Sequence, residues 1–206
     1  MSSHSSLSVR RKVAKEAANF LYFGVEKEYK QAKLRAAKTF GVHFLPTNLE
    51  VVIEFDKIAE ENEGATRQKR LIQMRQEALK LMKILKTYDP VLFGSVWRGT
   101  IHHESDIDIV VYHDEPEDIL ELLKQSNSKL LHTEWVAVTK GGRKKTSFHV
   151  YLELPIREKA EITVRSREEA NRKERCEIYG DIITGLNVQE LERVLLENPM
   201  QRFVPF

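Results

Sequence analysis

Asp106 and Asp108 stand two apart in an otherwise apolar run, Ile107-Asp108-Ile109-Val110-Val111-Tyr112. Side chains alternate between faces along a strand, so this spacing puts both carboxylates on one side and Ile107, Ile109 and Val111 on the other. Two carboxylates close together in a poorly solvated place repel strongly unless a proton or a cation intervenes. Mg²⁺ suits such a pair, because it takes oxygen ligands and borrows others from substrate phosphates. An exposed edge strand with an acidic face would also produce this spacing, and the pair alone leaves both readings open.

The segment upstream narrows the choice. Leu92-Phe93-Gly94-Ser95 reads as a strand entering a turn, where Gly94 permits close backbone approach. Free N–H groups there, with the Ser95 hydroxyl, could hold a phosphate chain, and Arg98 is a candidate phosphate cation. Gly99 gives the loop a second flexible point. Ser105, just before the acid pair, joins Gly94, Ser95 and Arg98 as a candidate nucleotide-binding residue.

Gly94-Ser95, ten intervening residues, and Asp106-Ile107-Asp108 together resemble the signature of the polymerase-β-type nucleotidyltransferase superfamily. The likeness is greatest to its minimal prokaryotic and archaeal predicted branch and extends from about Leu85 to Val164. It implies that Gly94 and Ser95 bind the triphosphate, and that Asp106, Asp108 and a third acid on a neighbouring strand hold two Mg²⁺ (or Mn²⁺) ions. The implied reaction moves a nucleoside monophosphate from an NTP to an acceptor hydroxyl and releases pyrophosphate. Glu161 is assigned as the third acid, since it sits near the start of a strand after a hairpin, and Glu153 is the runner-up. The superfamily more often has Asp at this place, but the longer Glu can still reach.

These residues need elements to hold them. The apolar spacing predicts a helix from Arg10 to about Thr39, with Ala14, Ala17, Phe20 (or Leu21), Val25, Tyr29, Ala32 and Ala36 in one stripe. Thr47 or Asn48, with Glu50, reads as the capped start of a second helix to about Asn62. A third follows Glu63-Gly64 with Leu71, Met74, Ala78, Met82 and Leu85 on one face, and it leads to a strand at Pro90–Phe93. Ser147–Pro155 and Ala160–Val164 read as strands joined by a turn. Ser166–Gly180 reads as a charged helix, and Asn187 as the cap of a last helix over Val188–Glu197. The expected fold is therefore α/β (α+β): a small mixed sheet flanked by helices, with an N-terminal helical extension and C-terminal helices. Its expected divisions are a disordered tail (1–9), a helical region (10–64), the core (65–165) and a C-terminal helical region (166–206).

At 206 residues and 41% hydrophobic, the chain can bury a proper core. Its one cysteine, Cys176, excludes an internal disulfide and a zinc site of several thiolates. No apolar run approaches the ~20 residues of a membrane helix, and the first residues lack the apolar core of a signal peptide, so a cytoplasmic protein without a membrane partner is expected. The net charge of +2 hides an uneven distribution: Glu104–Glu121 holds eight acids and no lysine or arginine, whereas Ala65–Lys86 holds seven basic residues and one acid. That basic segment and the loop residues Lys140, Arg143, Lys144 and Lys145 favour RNA as the acceptor. Two other readings stay open: an enzyme that adenylylates a protein partner, as certain antitoxins do, and a binding or scaffold protein that kept the fold without the chemistry. Trp97 is read as a plug against the core, while His102, His103, His149 and Tyr151 carry no assigned role.

Overall fold

In the computed structural model, which describes residues 3–140 and 143–205, the chain divides into two compact units. The first runs to Arg67 and includes Arg175–Ile182; the second comprises Gln68–Glu174 and Ile183–Val204.

The first unit contains α1 (Ser3–Tyr22), α2 (Tyr29–Thr39) and the opening turns of α3 (Asn48–Ile84). The single helix expected over Arg10–Thr39 is thus two, and most of the expected tail lies within α1. The break falls at Gly24, whose φ of 67° ends regular helix and shifts the phase of the apolar stripe. Ala14, Ala17, Ala32 and Ala36 are buried as expected, but Val25, beyond the break, is 48% exposed. At the start of α3, the Glu50 N–H donates to Thr47 Oγ1 (3.1 Å) and the Thr47 N–H donates to Glu50 Oε2 (2.6 Å), the reciprocal cap that the spacing predicts. Gly64 is non-helical (φ 49°, ψ −130°), which is the interruption expected after Glu63.

The second unit is built on one mixed sheet of β1 (Val91–Phe93), β2 (Ile107–Tyr112), β3 (Lys129–Lys140), β4 (Arg143–Glu153) and β5 (Lys159–Arg165). The strand order is β1-β2-β5-β4-β3; β2 and β5 are parallel and the other pairs antiparallel. Around it lie the rest of α3, α4 (Gly94–Arg98), α5 (Pro116–Lys124) and α6 (Val188–Glu197). One face of the sheet supplies Ile107, Ile109, Val111, Val150, Leu152, Ala160, Ile162 and Val164 to a core shared with Leu71, Met74, Met82 and Leu85 of α3 and Leu191 and Val194 of α6. Asn187 caps α6 with a full capping box, as predicted.

One expectation about the C-terminal part does not hold. Ser166–Gly180 is not a helix; only a 3₁₀ turn forms, over Arg167–Glu169. The segment has no apolar stripe to bury, and its charges are drawn to the sheet instead, where Lys145 pairs with Glu169 (3.1 Å) and Glu174 (2.6 Å). Further on, Leu186, Val188, Leu191 and Val194 join the sheet's own core.

Arg75 locks this arrangement. It is fully buried, and its guanidinium donates to four carbonyls: Val96 (3.1 Å), Trp97 (2.9 Å), Pro199 (2.7 Å) and Gln201 (2.8 Å). Burial lowers its pKa to about 10, so the group remains charged at neutral pH. Carbonyl dipoles from α4 and the C-terminal segment thus stand where a counter-charge would. Arg75→Met strips all four of their donor, and urea unfolding is expected to show a loss of about 3–5 kcal/mol. A loss below about 1 kcal/mol would show that the carbonyls are satisfied without it.

Candidate active site

The other face of the sheet carries a row set by strand register, polar from Asp108 onward. Phe93 pairs with Asp108, Asp108 with Glu161, Glu161 with Tyr151, and Tyr151 with His132. Residues paired in register point to the same side, so the parallel β2–β5 contact brings Asp108 and Glu161 together across a long gap in sequence. Asp106 lies one residue before β2. One oxygen from each of Asp106, Asp108 and Glu161 comes within 4.8 Å of the others. Glu153 does not join them; it lies at the end of β4, paired in register with Lys159 and 4.0 Å from the Lys129 ammonium.

This cluster is electrostatically short of positive charge. Burial pushes the Asp108 carboxyl up to about 8, with Asp106 and Glu161 adding to the rise. Burial likewise raises Asp106, and Glu161 adds to it, while Lys159 and Arg70 pull the other way. Three converging carboxylates are the donor set that a divalent, oxygen-seeking metal satisfies. Binding of such an ion would displace a proton from Asp108. The affinity for Mn²⁺ is expected to rise up to about tenfold per pH unit from pH 6 and to level off above about pH 8, with proton release read by calorimetry in buffers of different ionisation enthalpy. A pH-independent affinity in that window would contradict this charge balance.

Gly94 closes one side of the cluster. Its φ is +68°, and a Cβ built on it would lie 1.7 Å from Asp108 Oδ2. The backbone at the start of α4 therefore runs directly against a carboxylate of the cluster, and the first N–H groups of a helix have no partner within the helix. Ser95 Oγ donates to Ser105 Oγ (3.0 Å), which also accepts the His102 N–H (2.9 Å). Ser105 is buried and ties the turn to the loop that carries Asp106. Arg98 is 5% exposed, lies over the Trp97 ring (4.4 Å) and donates to the Phe203 carbonyl (2.9 Å). It anchors the C-terminal segment, and Trp97 is the core plug it was read to be.

The RNA-facing expectations fare unevenly. The tip of the β3–β4 hairpin, residues 141–142, and the side chains of Lys140, Arg143 and Lys144 lie outside the described residues. Lys145 is not a free phosphate contact, because Glu169 and Glu174 hold its ammonium. In the basic segment, Arg67 pairs with Asp56 and Glu60, Arg70 with Glu158, Lys80 with Glu77 and Lys83 with Glu192, while Arg75 is buried. Its charge is largely spent within the protein.

Two positions carry more than the sequence indicated. Arg70 grips Glu158 with two hydrogen bonds (2.7 and 2.6 Å) and also donates to the carbonyls of His102 (2.6 Å) and Ser105 (2.8 Å). It thereby clamps the loop before Asp106 to the β4–β5 turn. On β4, His149 Nδ1 is hydrogen-bonded to Glu161 Oε1, and Tyr151 donates to Glu134 Oε1 (3.0 Å). The signal for His149 was present as alternation, since Ser147, His149 and Tyr151 share a face; nothing local in the sequence marked Arg70.

Residues 71–175 match the family described as nucleotidyltransferase domain. Among solved structures, the chain is similar to Cid1 in complex with the UTP analogue UMPNPP, at 19% identity and a TM-score of 0.35, over 56% of this chain and 37% of that one. It is similar also to a cytoplasmic RNA terminal U-transferase, at 19% identity and a TM-score of 0.34, again over 56% of this chain and 37% of the other. The chain thus spans little more than a third of those structures. No curated protein matches it. Among the described residues, no helix is long and apolar enough to cross a membrane.

Proposed function

The chain belongs to the nucleotidyltransferase domain family, and from that membership we propose that it moves a nucleoside monophosphate from an NTP to an acceptor hydroxyl, releasing pyrophosphate. The observation that carries the site assignment is the convergence of Asp106, Asp108 and Glu161 beside the bare backbone of Gly94. These three acids would hold the divalent ions. Bound Mg²⁺ or Mn²⁺ would supply activation of the hydroxyl and charge neutralisation at the phosphates. Gly94 and Ser95 position the β- and γ-phosphates against backbone N–H groups, where a side chain would obstruct them. The acceptor oxygen bonds to the α-phosphorus, its proton passes to the carboxylate cluster, and the bond to the pyrophosphate oxygen breaks. Ser105 and Arg70 keep the Asp106 loop in place, while Arg98 secures α4 from behind.

RNA remains the acceptor we favour, on the likeness of the sequence signature and the hairpin's basic composition. The internal pairing of Lys145 and of the basic part of α3 removes two supports for it. Incubation with each of the four α-labelled NTPs, Mn²⁺, and RNA or protein from a cell extract tests both parts of the reading. Label in RNA that depends on Asp106 and Asp108 is expected. Label in protein would replace RNA with a protein hydroxyl, and no label with no pyrophosphate released would overturn the transfer.

A further inference from the structure

Glu161 differs from its two partners in how it is held. Asp108 is packed against the Gly94 backbone, and Asp106 follows a loop tied down by Ser105 and Arg70. Glu161 has an extra methylene and an extra torsion, so its carboxylate samples more positions and loses more freedom when a ligand fixes it. In β4, Tyr151 is directly opposite Glu161 and His149 is opposite Thr163. His149 is therefore the diagonal neighbour of Glu161 on the same face, a separation that long side chains bridge and short ones do not. The bond from His149 Nδ1 to Glu161 Oε1 spans that diagonal. On its other side, His149 Nε2 is 2.7 Å from Ser147 Oγ.

From this geometry we propose that His149 is a positioning residue for the metal centre: it fixes Glu161 through Oε1 so that Oε2 is presented to the divalent ion. The proposal rests on reading Glu161 as a metal ligand. A carboxylate only accepts, so Nδ1 carries the hydrogen of this bond; in the neutral ring Nε2 is then the acceptor for the Ser147 hydroxyl. Ser147 thus sets the tautomer and the ring plane, as the outer partner of a ligand commonly does. The diagonal also gives glutamate a reason to stand where an aspartate would reach the metal by a shorter route. From position 161, an aspartate would fall short of His149.

The test is Mn²⁺ binding to the metal-free protein, read by the loss of the free-ion paramagnetic resonance signal without NTP or acceptor. His149→Ala is expected to weaken Mn²⁺ binding about 10- to 100-fold, the range seen when the outer partner of a ligand is removed. His149→Asn, whose amide nitrogen takes the place of Nδ1, is expected to stay within about threefold of the unsubstituted protein. Glu161→Asp removes the group that His149 grips, so adding His149→Ala to it should cost less than about threefold more. In transfer assays, the same variants should raise the Mn²⁺ concentration for half-maximal rate more than they lower the rate at saturating Mn²⁺.

A merely structural histidine would lower affinity equally whether glutamate or aspartate stands at position 161, and that result would overturn the proposal. So would unchanged Mn²⁺ affinity in His149→Ala. If the unsubstituted protein binds no Mn²⁺ at all, the metal reading of the triad fails and this inference with it. Binding without nucleotidyl transfer would instead leave the positioning role standing while the reaction assignment fell.

Discussion

Asp108→Asn is expected to abolish nucleotidyl transfer, by at least ~10³-fold, while making the metal-free protein more stable at pH 8. The loss follows from removing one of the three converging carboxylates proposed to hold the metal, an effect on the order of 4 kcal/mol or more on the transition state. The gain in stability follows from linkage. The Asp108 carboxyl titrates near 8 in the folded protein against an ordinary value of 3.8, so between those pH values the native state holds more protons than the unfolded chain. Unfolding free energy therefore falls as pH rises through that window and flattens above about pH 8. Asparagine cannot ionise and escapes the penalty. In the presence of a chelator, Asp108→Asn should exceed the unsubstituted protein by about 2–4 kcal/mol at pH 8, and the two should converge near pH 4. Added Mn²⁺ should reverse the order at pH 8, because only the unsubstituted protein gains binding energy. Denaturant melts at two pH values with and without Mn²⁺ check all of this. A variant that is destabilised at pH 8 without metal would show that Asp108 is ionised at little cost and that the cluster has no need of a cation.

Gly94→Ala is expected to cut transfer by about 10²-fold or more, although it adds a single methyl group. That methyl group would lie 1.7 Å from Asp108 Oδ2 and 2.7 Å from its Cγ, so the carboxylate must turn away from the cluster. The φ of +68° adds strain of about 1 kcal/mol or more for any residue with a Cβ. Both effects bear on the same place, where the Gly94-Ser95 turn meets the carboxylates proposed to hold the metal. Mn²⁺ affinity should fall together with the rate, which separates this variant from one that only obstructs the triphosphate. An active Gly94→Ala protein with normal Mn²⁺ affinity would show that the turn and the carboxylate do not share this space.

The helices and strands that the sequence revealed best are those with a strong local signal. The Leu71–Leu85 stripe, the capping box before α3, the Asn187 cap, the apolar alternation of β2 and the position of Glu161 in β5 are all present as expected. Each rests on periodicity or on a cap of three or four residues, which neighbours along the chain decide by themselves. The readings that failed lacked such a signal. Ser166–Gly180 has helix-forming charges but no face to bury, and ion pairs with β4 and β5 hold it in another shape. Val25 fits the stripe only if Gly24 stays helical, and it does not. Other contacts lay beyond any local signal: the Arg98 guanidinium, near Gly94-Ser95 in sequence, donates to the Phe203 carbonyl, more than a hundred residues away.

By itself, the sequence determined that a pair of aspartates, a Gly-Ser turn and a downstream acid exist at the spacing of a nucleotidyl transfer site. Those are facts of residue type and local geometry. Which acid stands with the aspartate pair was decided by the parallel register of β2 on β5, which sets Asp108 beside Glu161 and leaves Glu153 to Lys159 and Lys129. Tertiary structure alone also decided which cations are consumed and brought His149 Nδ1 against Glu161 Oε1. A side chain's charge is written in the sequence, but whether another group already answers that charge depends on what the fold brings within about 3–4 Å of it.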